Sequence, residues 1–115
     1  MHEYSIVSSL VDRVQREADA RPGAIVRRLH LKIGEHAGVD LGLLRSAYAL
    51  FRERTVCEVA ELEIEAVAVR WECPRCKTPI ALGAVLRCAP CDRPARLVAG
   101  DDIILERIEM ELSDV

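Results

Sequence analysis

The chain has 115 residues, half of them hydrophobic and 30% charged, a balance that suits one small domain, alone or with a metal-stapled lobe, and excludes a disordered chain. Its net charge of −3 is uneven. Between Cys73 and Ala99, Arg75, Lys77, Arg87, Arg93 and Arg96 face the single acid Asp92, so that stretch is +4 and the remainder is −7.

Glu3 to about Ala20 places Ile6, Val7, Leu10, Val11, Val14 and Ala18 at three- and four-residue steps, which predicts an amphipathic helix. Arg21-Pro22-Gly23 ends it, because Pro cannot continue the hydrogen-bond ladder and Gly accepts positive φ. Ile25 to Ile33 reads as a strand with Leu29, Leu31 and Ile33 on one face and Arg28, His30 and Lys32 on the other. Gly34 to Gly38 is a loop, and Asp40 is the expected N-cap of a second helix running to about Arg54 and burying Leu43, Leu44, Ala47, Leu50 and Phe51. Glu61 to Trp71 reads as a second strand whose alternation changes phase after Ala66, the mark of a bulge or bend. A third strand spans Ile103 to Leu112, with Ile108, Met110 and Leu112 opposite Arg107, Glu109 and Glu111. The cysteine-rich stretch is therefore an excursion between two strands of one sheet.

His2 and Glu3 follow Met1 directly, so no signal peptide is expected, and no apolar run approaches the roughly 18 residues needed to cross a bilayer. A reducing cytoplasm is the expected compartment, and there paired cysteines point to metal. Cys73-Pro-Arg-Cys76 and Cys88-Ala-Pro-Cys91 are two Cys-x-x-Cys knuckles at the separation of a zinc ribbon. Two intervening residues let a tight turn aim both sulfurs at one ion, and two knuckles complete a tetrahedron. Four thiolates leave no open position, so this zinc is structural. The lone Cys57 reads as a small buried core thiol.

The opening Met1-His2-Glu3 is a candidate chelator. The amine of Met1 with the amide and imidazole nitrogens of His2 closes a five- and a six-membered ring in one plane, a field that suits nickel(II) and copper(II) alike. Glu3, Asp40 or His36 could complete the set. Three nitrogens leave a position open for a receiving protein, which a carrier needs.

The opening Met1-His2-Glu3-Tyr4-Ser5 before an amphipathic helix resembles the HypA/HybF family of hydrogenase nickel-insertion accessory proteins. So do Leu31-Lys32-Ile33-Gly34-Glu35 closing the first strand, the late pair of knuckles, and Ile108-Glu109-Met110-Glu111 in the last strand. The resemblance implies an α+β fold. Two helices on a small three-stranded sheet form a nickel domain (residues 1–70 and 100–115), and a zinc-ribbon domain (residues 71–99) is inserted before the last strand. It implies nickel ligation by Met1, His2 and Glu3, with Asp40 in some members, and zinc ligation by Cys73, Cys76, Cys88 and Cys91. It further implies work with a HypB-type GTPase to load Ni(II) into the large subunit of [NiFe]-hydrogenase, some members also serving urease and its accessory proteins. No membrane or nucleic-acid partner is expected, and no catalysis.

Two other classes compete with a metal carrier. A zinc-ribbon module binding nucleic acid or protein would use the +4 lobe, but the chain is acidic overall and the lobe lacks aromatics to stack on bases. A zinc enzyme would need three ligands and an open position, and no such His or carboxylate cluster is present in the sequence.

Overall fold

A computed structural model describes residues 2–81, 83 and 85–112. The chain runs α1 (His2–Asp19), β1 (Ile25–Gly34), α2 (Leu41–Phe51), β2 (Glu61–Val67), β3 (Arg70–Glu72), β4 (Pro79–Ile80), β5 (Arg87–Cys88), β6 (Arg93–Pro94), β7 (Arg96–Ala99) and β8 (Ile103–Glu111). It divides into two compact units: Met1–Lys32, Val39–Glu65 and Ile104–Val115 form one, and Ile33–Gly38 with Ala66–Ile103 form the other.

The first unit carries α1, α2 and a sheet of order β2-β1-β8. Its core is aliphatic, as the low aromatic content requires. α1 buries Val7, Leu10, Val11, Val14 and Ala18, and β1 buries Val26, Leu29 and Leu31. Gly23 at φ 84 closes the turn out of α1.

Asp40 caps α2: it is extended, and its Oδ1 accepts the Leu43 N–H at 3.0 Å. The buried face of α2 differs from the expected one. Leu44, Ala47 and Tyr48 turn inward, while Leu43 and Leu50 are exposed and Phe51 is half-buried. The polar Tyr48 can be buried because its O–H donates to Ala60 O at 2.8 Å. Cys57 is fully buried nearby, and burial pushes its thiol up to about 11. Leu112, expected on the buried face of the last strand, is exposed.

In the second unit, the stretch expected as one strand to Trp71 is two strands, broken at Ala68 and Val69 where the alternation changes phase. The break has a steric cause. A Cβ on Gly100 would lie 2.6 Å from Val69 Cα, and one on Gly34 would lie 2.1 Å from the Gly100 carbonyl. Three backbone segments thus cross in near contact, joined by Gly34 N–H to Asp102 O, Glu35 N–H to Val67 O and His36 N–H to Gly100 O. Beyond the crossing, β3 pairs antiparallel with both β4 and β7, with a register shift between Arg70 and Trp71, and β5 pairs antiparallel with β6.

Candidate metal centres

The second unit is built around its cysteines. Cys73 follows β3, and the chain turns back at once, with Cys73 N–H donating to Thr78 O and Lys77 N–H to Cys73 O, both at 3.0 Å. The turn aims the N–H groups of Arg75 and Cys76 at Cys73 Sγ, at 3.4 and 3.5 Å. The second knuckle leaves β5 at Cys88 and turns through Cys91. In both, the residue after the second cysteine is left-handed, Lys77 at φ 64 and Asp92 at φ 50. Arg87 braces the second turn, its Nε donating to Asp92 Oδ1 at 2.8 Å and its Nη2 to Asp92 O at 2.9 Å.

These turns bring Cys73, Cys76, Cys88 and Cys91 together, with all four sulfurs within 4.8 Å of one another. At a Zn–S bond of about 2.3 Å a tetrahedron has S···S edges of about 3.8 Å, and Cys76 and Cys88 are 3.8 Å apart. The electrostatics fit the same ion. N–H groups pull Cys73 down, and Thr78 pulls Cys76 down to about 6. Burial and the neighbouring sulfurs push Cys91 up to about 12. Four sulfurs this close can all ionise only around a cation. The donor set, all sulfur and closed, is that of structural zinc and offers no position for a substrate.

Of the candidate nickel ligands, Met1 lies outside the described residues. His2 opens α1, where a backbone N–H has no acceptor within the helix, and its imidazole is exposed, 3.7 Å from Glu3 Oε2. Glu3 is buried, 7% exposed, and accepts the Asp40 N–H at 3.1 Å. That bond, followed by other hydrogen bonds and the charge of His2, holds the carboxyl down at about 2. Sequence chemistry selected Glu3 and Asp40 separately; the bond that joins them runs through a backbone amide, which no side-chain pattern reveals. His36 sits exposed in the Gly34–Gly38 loop of the second unit. Sequence reading also passed over Thr78 and Arg87, which shape the knuckles. Arg87 and Asp92 carried one signal, as opposite charges flanking Cys88 and Cys91.

A family model described as hydrogenase/urease nickel incorporation, metallochaperone, hypA, matches residues 1–110. The hydrogenase maturation factor HypA of Shewanella baltica (strain OS185) is 33% identical over 113 residues, spanning 96% of this chain and 97% of its own. That of Wolinella succinogenes is 33% identical over 120 residues, spanning 99% and 98%. Among solved structures, a solution structure of HypA protein superposes with a TM-score of 0.82 at 32% identity, covering 98% of each chain. The nickel metallochaperone HypA from Helicobacter pylori superposes with a TM-score of 0.72 at 32% identity, covering 98% of this chain and all of that one.

Proposed function

This chain belongs to the HypA family of hydrogenase and urease nickel-incorporation metallochaperones, and we propose that it takes its cargo at the amino terminus and hands it on from there. It is a non-catalytic nickel carrier for metalloenzyme maturation, with a four-cysteine zinc site. The amine of Met1 and the amide and imidazole nitrogens of His2 form the planar nitrogen field, with Glu3 and Asp40 beside it. Cys73, Cys76, Cys88 and Cys91 hold zinc, which supplies folding energy and no chemistry on the cargo. The first unit is the nickel domain and the second the zinc domain. The receiving machinery is a HypB-type GTPase and the large subunit of [NiFe]-hydrogenase, with urease and its accessory proteins as further clients, all in the cytoplasm.

The observation that carries this reading is the Glu3 to Asp40 bond, which fastens the first turn of α1 to the N-cap of α2 and so gathers residues far apart in sequence at one end of the unit. An open site there complements a closed one among the cysteines: cargo must leave, and a structural ion must stay. Nickel binding displaces protons from the amine and the amide, so affinity falls in acid.

The test is a nickel titration by calorimetry, comparing the chain beginning at Met1 with one carrying a single extra residue before it. The extension moves the amine out of chelating position and leaves the fold alone. Loss of tight binding of one nickel is the expected result. Unchanged binding places the ligands elsewhere and overturns the amino-terminal site.

A further inference from the structure

The polar face of the β2-β1-β8 sheet is a cross-strand charge array, and His30 sits at its centre with a side chain only 14% exposed. Its Nδ1 lies 3.2 Å from Glu63 Oε2 on β2. Its Nε2 meets the Glu109 carboxylate on β8 and, at 3.2 Å, Arg107 Nη2 on the same strand. The surrounding charges are mostly committed. On β1, Arg28 reaches Glu61 and Glu63 at 3.3 and 3.5 Å, and Lys32 reaches Glu106 at 2.6 Å. Glu65 adds its charge from β2 beside Lys32, and Arg27 holds Glu111 at the far end of β8 at 2.6 Å.

The two charge states of the ring use different partners. Imidazolium carries charge at both nitrogens, so it hydrogen-bonds Glu109 at Nε2 and pairs electrostatically with Glu63 beside Nδ1. Neutral imidazole donates from one nitrogen and accepts at the other. With its proton on Nδ1 it keeps Glu63, while Nε2 accepts from Arg107, a guanidinium that does not lose its proton. Glu109 is then left with Arg107 of its own strand, 3.8 Å away. Both states are satisfied by groups already in place, but only the protonated ring adds an ionic bond of its own between β1 and β8, beside the Lys32–Glu106 and Arg27–Glu111 pairs.

We propose that His30 is a protonation-dependent clasp across the three strands, binding Glu63 and Glu109 together when protonated and exchanging Glu109 for Arg107 when neutral. The depressed Glu109 carboxyl, held down first by its bond to His30, agrees with this. The clasp is closed while the ring carries its proton and opens when the proton leaves. β2 precedes the cysteine-rich stretch and β8 follows it, so the clasp tightens the strands by which the chain leaves and re-enters this unit. Its pH response is opposite to that of an amine and amide chelate, which empties in acid. The clasp itself does not depend on where nickel binds.

The experiment is NMR on the zinc-loaded full chain, following the His30 ring nitrogens and the amide exchange of β8 through pH, with the His2 and His36 rings as internal references. In Glu109→Gln the His30 ring gives up its proton at a lower pH than in the wild type, and in Arg107→Gln at a higher one, because one change removes a stabilising anion and the other an opposing cation. Corrected for intrinsic exchange, β8 amides in the wild type lose several-fold protection as the ring deprotonates, and His30→Gln abolishes that step. Should His30→Gln fail to fold, the partner variants still report on the native ring. A His30 midpoint that is the same in both partner variants, or β8 protection that ignores the ring's titration, overturns the clasp.

Discussion

Stripping zinc from the full chain should unfold the second unit and leave the first standing. Ordering each residue costs about 1–2 kcal/mol of backbone entropy, and burying one Val side chain returns about 1.5–3 kcal/mol. Among the described residues of the second unit, Ile33 and Val69 are the buried aliphatic side chains, accompanied by the buried thiols of Cys73 and Cys88. The strands there are short, β4, β5 and β6 having two residues each. The ordering of this unit's residues outweighs what Ile33 and Val69 return, so the metal–sulfur bonds must supply the difference; in small zinc-dependent folds they are worth about 10–16 kcal/mol at neutral pH. The first unit has an aliphatic core of its own, including Val7, Val14, Leu29 and Leu44 with no exposure. The one tryptophan, Trp71, lies half-buried in β3 and reports on the second unit alone, while α1 and α2 both lie in the first. Excess chelator should shift Trp71 emission to that of an exposed indole with the helical circular dichroism nearly unchanged, and one equivalent of zinc should reverse it. Cys73→Ser and Cys91→Ser should resemble the chelated protein. Native Trp71 emission and protected β3 and β7 amides without zinc would refute the reasoning, and so would loss of the helical signal together with the metal.

Three further outcomes follow from the first unit. Leu44→Ala should cost about 2–5 kcal/mol in urea unfolding of the zinc-loaded protein, whereas the exposed Leu43→Ala and Leu50→Ala should stay within about 0.5 kcal/mol of wild type. Tyr48→Phe should cost about 1 kcal/mol, since it removes one buried hydrogen bond while Ala60 O keeps the Arg52 Nη1 donor at 2.9 Å; a neutral effect would mean the hydroxyl is dispensable. Glu3 titrates at about 2 in the fold against 4.5 ordinarily. Its contribution is therefore complete above pH 4.5 and lost as pH falls toward 2, and Glu3→Gln should flatten acid unfolding across that window.

What could be read from the sequence is what is decided within a few residues. Pro22 and Gly23 stop α1, Asp40 caps α2, and each knuckle is a local turn, so these were legible. The inward face of α2 was not. Leu41, Leu43, Leu44 and Leu50 give that helix apolar residues on several sides, and periodicity alone cannot choose among them. The choice falls to Tyr48, whose hydroxyl needs a carbonyl twelve residues onward at Ala60. The break at Ala68 and Val69 could be seen as a phase change, but its cause is Gly100 pressing on Val69 from a distant segment. The outer half of the last strand was legible, since Arg107 and Glu109 share the polar face with His30 while Ile108 and Met110 are half-buried, and only Leu112 departs. Glu106, three residues before Glu109, also reaches β1 through Lys32, so a single alternation does not describe the whole strand.

The same distinction separates the two metal sites. Four cysteines name their ion by type and spacing, whereas Glu3 can serve nickel in two ways that spacing does not distinguish: its carboxylate can bind the ion, or it can hold Asp40 and so place the residues around it. The geometry favours placement, since the carboxylate already accepts the Asp40 N–H. Two substitutions separate the roles. The side-chain oxygen of Glu3→Gln can still accept that N–H but brings no charge to a metal, and Glu3→Ala does neither. If Glu3 places its neighbours, Gln should retain nickel affinity while Ala weakens it by about 10–100-fold, the range typical of lost supporting contacts around a metal. The Asp40 amide resonance should move in Ala and hold in Gln. If Gln weakens nickel binding as much as Ala with the Asp40 amide unmoved, the carboxylate is a ligand, and another group must fasten α1 to the N-cap of α2.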